Sequence, residues 1–174
     1  MQTTMIIRWC GLAAIIAGIL RVLASFLPFI SSGTGGNIEI LYTVIDILIL
    51  FGLIGIYGFQ KEKIDKFVFA GFITAMIGTL LIILPVGMVG KVDLYTTGAM
   101  IISIGMLLLA IGTWRAGILS RWAPALWIVS TLVGVGGFML GGNALTYAFF
   151  VAGISFGLGF TLAGAEIWSK GNKF

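Results

Sequence analysis

Apolar residues run along this chain in six blocks, at 6–29, 38–59, 66–87, 94–114, 122–141 and 144–168, and polar residues gather in the gaps between them. Each block holds roughly 20 residues or more, enough at about 1.5 Å per residue to cross a hydrocarbon core about 30 Å thick. Backbone groups in lipid must satisfy one another, so the blocks are expected to be helices rather than open strands. The expected fold is all-α, a single polytopic membrane bundle of six transmembrane helices over residues 1–174. Only Gly141-Gly142-Asn143 divides the last two blocks, and Asn143 is expected to cap the helix that follows.

The gaps alternate in chemistry. One set carries Arg8, then Lys61, Lys63 and Lys66, then Arg115 and Arg121, then Lys170 and Lys173; the other set carries only Lys91. Cytoplasmic loops collect lysine and arginine, so both termini are expected on the cytoplasmic side of the cell membrane. Aromatic residues give an independent check, because amphipathic rings favour the headgroup level. Trp9, Trp114, Trp122 and Trp168 fall at the basic ends of the blocks, while Tyr42, Tyr95 and Tyr147 fall near the opposite ends and Tyr57 is the exception.

Composition agrees with this reading. Of the 174 residues, 60% are hydrophobic and 9% charged, and the mean hydropathy is +1.17. About 25% charged residues is usual for a soluble domain, so too little polar surface exists to face water. The net charge of +4 is spread over the gaps rather than gathered on one face, which argues against a nucleic-acid partner. Cys10 stands alone and cannot close an internal disulfide. Histidine is absent, which removes its usual roles as metal or haem ligand and proton shuttle. The first block continues through Arg21 and more blocks follow, so it is expected to be a retained anchor. No metal, cofactor or catalytic residue is expected.

The three outer tyrosines are 53 and 52 residues apart, and LYTVIDILILFG from Leu41 echoes LYTTGAMIISIG from Leu94 and LTYAFFVAGISFG from Leu145. Duplication of a two-helix unit would produce this spacing, with hairpins 1–60, 61–115 and 116–174 in one orientation. Similarly sized hairpins sharing belt residues would produce it too. Glycine, at 26 residues, is about twice as common as usual. Several recur every seven residues: Gly11-Gly18-Ser25, Gly71-Gly78, Gly98-Gly105-Gly112, Gly134-Gly141 and Gly157-Gly164. Such stripes let helix backbones approach closely in lipid. The four-residue pairs Gly137-Gly141 and Gly153-Gly157 point to close pairing of the last two helices, while some stripes would suit a homo-oligomer. Pro28 and Pro85 mark the outer ends of blocks one and three, and Pro124 lies in the first turn of block five.

Two charges lie deep in the first hairpin. Arg21 sits roughly 5 Å and Asp46 roughly 4 Å to the outer side of their block midpoints. Each would cost about 2.5–3.5 kcal/mol at the centre of a span if left alone. A direct Arg21–Asp46 pair is therefore expected, with Tyr42 as a hydrogen-bond neighbour and Glu39 shallower, at a vestibule or in water. The pair has two uses, as a structural fastener or as the lining of a ligand or ion cavity; alternatively Arg21 snorkels to the headgroups and Asp46 is protonated. Glu166 is explained by Lys170 one turn later, Asp65 and Asp93 by helix capping, and Trp127 by core or lipid packing.

Activated nucleophiles and metal clusters are missing from this inventory, so an enzyme is not the leading expectation. The leading one is a small non-enzymatic integral membrane protein that binds an apolar or amphipathic, lipid-like ligand or a partner membrane subunit. A small transporter or channel using Arg21 and Asp46 is the alternative.

Overall fold

The computed structural model describes residues 2–30, 35–84, 88–90 and 92–171. Pro85, Lys91 and Lys173 lie outside the described residues. Helices α1 (Gln2–Ser25), α2 (Leu27–Ile30), α3 (Gly35–Phe59), α4 (Lys66–Ile83), α5 (Leu94–Ala116), α6 (Trp122–Leu140) and α7 (Gly142–Lys170) follow one another, with a 3-10 turn at Lys61–Lys63. Among the described residues six segments are long and apolar enough to cross a membrane: Met5–Ile30, Ile38–Phe59, Lys66–Ile83, Leu94–Ala116, Trp122–Leu140 and Gly142–Lys170. The protein is an all-α bundle of the multi-pass membrane type.

Each helix packs on its neighbours in the chain, α1 on α3, α3 on α4, α4 on α5, α5 on α6 and α6 on α7, and α7 returns to α1. The result is a closed ring in sequence order. A further contact between α3 and α7 crosses its middle. The centre is filled rather than open, by Ile45, Leu53, Ile56, Met106, Leu109, Trp127, Phe160 and Ile167. Trp127 is fully buried beside Phe160, with ring centroids 5.6 Å apart, so it belongs to the core and not to a lipid-facing surface.

Two seams are closed by glycine. On α1 and α7, a Cβ at Gly18 would strike the Gly157 carbonyl and Thr161, and one at Gly164 would meet the Gly11 carbonyl. On α4 and α5, a Cβ at Gly71 would strike the Leu109 backbone, and one at Gly105 the Ala75 backbone. Four of the five stripes read from the sequence fall on α1–α7 and α4–α5, the two most extensive helix contacts, whereas Gly134 makes only an ordinary contact with Ala152 and nothing lies within 4 Å of a Cβ at Gly141. The last two helices are joined differently. Gly137 faces Ala148 of α7, but Gly153 and Gly157 turn to Ser25, Gly18 and Val22 of α1.

Local chemistry sets the element ends. Asp65 accepts hydrogen bonds from the amides of Phe67 and Val68, both at 2.9 Å, and starts α4. Asp93 accepts from the Tyr95 amide at 3.0 Å and starts α5; the Thr96 hydroxyl, donating at 2.5 Å, is the main cause holding the Asp93 carboxyl below its usual range. The third span stops at Ile83, four residues short of the expected 87. Leu84 precedes a proline and adopts the extended ψ of 131° that this position favours. Beyond it, Met88–Val89 and Val92–Asp93 form a two-stranded antiparallel hairpin that was not expected, turning at Gly90 with φ 63°. Asn143 does not cap α7. Gly141, with φ 66°, occupies the cap position and Gly142 begins the helix.

At the end of the bundle where both helical termini lie, Trp9 meets Trp168 edge-on at 6.0 Å and Arg8 covers the Trp168 ring at 4.6 Å. Glu166 does pair with Lys170, at 2.8 Å, but its other oxygen accepts the Ser120 amide at 2.9 Å. The carboxylate therefore ties the α5–α6 turn to α7. Glu166→Ala is expected to cost about 1–3 kcal/mol, because the Ser120 amide loses a charged acceptor. Lys170→Ala is expected to cost under about 0.5 kcal/mol, as exposed ion pairs usually do. Unfolding in a detergent–denaturant titration measures both, and equal losses would refute the tie.

Candidate functional site

The site begins with a missing amide. In a continuous helix the amide of residue 28 would bond the carbonyl of Ala24, but Pro28 has none. Helix α1 accordingly stops at Ser25, the Phe26 amide closes a tighter turn on the Leu23 carbonyl at 3.1 Å, and α2 starts anew. The freed Ala24 carbonyl accepts the hydroxyl of Tyr42 from α3 at 3.4 Å. One residue on, Ser25 donates back to the Arg21 carbonyl at 2.9 Å. Pro28 therefore does more than mark a boundary, since it creates the acceptor that holds Tyr42 against α1.

Anchored there, Tyr42 carries the Arg21 guanidinium above its ring, 5.5 Å from the centroid. Asp46 lies one helical turn further along α3 and is 8% exposed. The direct Arg21–Asp46 pair expected from their matched depth is not made. Among the described residues the ion pairs within 4.0 Å are Arg115–Asp65 and Lys170–Glu166. Arg21 and Asp46 remain close enough for their charges to interact, yet the tyrosine ring has taken the contact face of the guanidinium. A cation–π contact is worth about 0.5–2 kcal/mol, depending on how dry it is. That is less than the cost of a lone charge at the centre of a span, so the ring alone does not compensate Arg21.

A further side chain joins them. The phenol of Tyr95, in the first turn of α5, lies within electrostatic range of Arg21, Asp46 and Tyr42. Helices α1 and α3 supply the polar groups in contact, and Tyr95 on α5, 59% exposed, stands outside that contact. Sequence reasoning assigned Tyr95 only to the outer aromatic belt, although the echo between LYTVID and LYTTGA puts it at the position equivalent to Tyr42. Glu39 is not part of the cluster: its side chain is exposed, and its backbone carbonyl accepts the Thr43 hydroxyl at 2.9 Å.

The chain matches no family model, no curated protein and no solved structure. Its chemistry must therefore be read from the site itself. Arg21 supplies donors, Asp46 supplies acceptor oxygens, and Tyr42 and Tyr95 supply ring faces and hydroxyls. Among the described residues no hydrogen bond or ion pair occupies the Asp46 carboxyl. Such an arrangement can bind and orient a polar group; it presents no nucleophile with an adjacent base.

Proposed function

We propose that the protein is a non-catalytic, multi-pass protein of the cell membrane that binds an amphipathic small molecule in the outer half of the bilayer, at Arg21, Tyr42 and Asp46, with Tyr95 beside them. The observation that carries this reading is that Arg21 and Asp46 share a site without an ion pair within 4.0 Å. Intramembrane ionisable residues left in this condition are functional candidates by default. The orientation rests on Arg8, Lys61, Lys63, Lys66, Arg115, Arg121 and Lys170, which favour a cytoplasmic placement of both termini. The hairpins α1/α3, α4/α5 and α6/α7, each internally packed, are compatible with duplication of a two-helix unit.

Native mass spectrometry of the protein extracted in mild detergent tests the reading. Arg21→Ala and Asp46→Ala, each still folded, are expected to lose most of a co-purified amphipath, and the double variant to lose no more. Equal retention in all forms would sink the proposal. A partner membrane subunit or a second copy held at the same groups would instead appear as a protein adduct lost with Arg21. Transport is the second reading, favoured by the burial of Asp46 at 8% exposure within a span. Solute flux into proteoliposomes, abolished by Asp46→Asn in folded protein, would move the assignment there.

A further inference from the structure

We infer that the Arg21–Asp46 site takes a dipolar ligand, one anionic oxygen group and one primary ammonium joined by a few bonds, with the anion on Arg21 and the ammonium at Asp46. This rests on the reading above that the cluster is a ligand site, and it names the ligand class. Charge balance selects this class. A simple anion would meet Arg21 but bring its charge beside the Asp46 carboxyl. A simple cation would meet Asp46 and the tyrosine rings but crowd the guanidinium. An uncharged amphipath would leave both groups as poorly compensated as before. Only a ligand bearing both signs answers both residues at once, and its overall neutrality lowers the cost of leaving water.

The individual contacts fit. A guanidinium presents a planar fork of donors that suits phosphate or carboxylate oxygens. An ammonium has three donors and no acceptor, the complement of a carboxyl that is 8% exposed and without a hydrogen bond from the described residues. Tyr42 donates a long hydrogen bond, 3.4 Å, to the Ala24 carbonyl, which turns its ring toward α1 and Arg21. Tyr95, 59% exposed overall, stands at the outer margin of the cluster. Aromatic faces of this kind add favourable contacts to an ammonium. The same chemistry is found in an amine-bearing phospholipid headgroup and in a free zwitterion such as an amino acid.

Binding to the full chain in detergent micelles distinguishes the possibilities. The probes are dihexanoyl phosphatidylethanolamine, dihexanoyl phosphatidylglycerol, hexylamine, and the tail-less zwitterions glycerophosphoethanolamine and β-alanine. Phosphatidylethanolamine or a tail-less zwitterion is expected to bind roughly tenfold or more tightly than phosphatidylglycerol or hexylamine, as loss of one charged hydrogen bond implies. Asp46→Asn is expected to erase that preference. Binding of the phospholipid alone assigns a lipid source, and binding of the tail-less zwitterions assigns a free solute. Phosphatidylglycerol binding as well as phosphatidylethanolamine, with both lost in Arg21→Gln, overturns the dipolar ligand while leaving the ligand site standing. If no probe binds, the dipolar ligand is overturned; if amphipath retention is also indifferent to Arg21, the site reading falls with it. The probe series on the unsubstituted chain decides the matter even where a variant fails to fold.

Discussion

Gly105→Val will open the seam between α4 and α5, with an expected loss of about 3 kcal/mol and a sharp fall in folded yield. The added Cβ would strike the backbone of Ala75, which cannot rotate aside as a side chain end can. Relief requires the two helices to separate along the length where Gly71, Gly78, Gly98 and Gly112 also meet backbone or close side chains. In lipid no hydrophobic drive pulls them back, because acyl chains solvate the separated surfaces equally well. Gly136→Ala is the control. Nothing lies within 4 Å of the Cβ it would add, so it should be neutral, or gain up to about 1 kcal/mol from helix propensity. Denaturant titration in detergent measures both, and a Gly105→Val protein as stable as Gly136→Ala would remove the close-approach account of the seam.

Trp127→Ala is expected to cost about 3–5 kcal/mol, the usual range for emptying a large aromatic site. Trp127 is fully buried against Phe160, and its indole edge lies directly over Gly159, where a Cβ would collide with Nε1. Among the described residues that indole N–H has no acceptor. Trp127→Phe therefore discards an unmade hydrogen bond together with some packing area, and the two effects oppose each other. Its expected cost is under about 1.5 kcal/mol. If phenylalanine proved as damaging as alanine in the same titration, the indole nitrogen would have to be bonded after all.

The helices were legible because twenty apolar residues in a row leave the backbone no other way to be satisfied. Asp65 and Asp93 were legible as caps, each standing directly before an apolar run with backbone amides to receive. The hairpin at Met88–Asp93 was not, since two-residue strands give no alternation to detect. Asn143 misled because a glycine pair with positive φ can begin a helix without a side-chain cap. The glycine stripes announced close approach but carried no address, and α1 rather than α6 proved to receive Gly153 and Gly157. At the candidate site, helical spacing was enough to name Tyr42 as a neighbour of Arg21 and Asp46. That the Tyr42 ring rather than the Asp46 carboxyl meets the Arg21 guanidinium was not legible, because it depends on how α1 and α3 pack.

The ring order has a consequence for assembly in the membrane. Five of the six interfaces join helices that leave the ribosome one after the other, so each can dock soon after insertion. The sixth, Gly11 and Gly18 against Gly157 and Gly164, unites the earliest helix with the latest. Until α7 has been made and inserted, the notched face of α1 must be solvated by lipid or shielded by a chaperone, and only the arrival of α7 locks the circle.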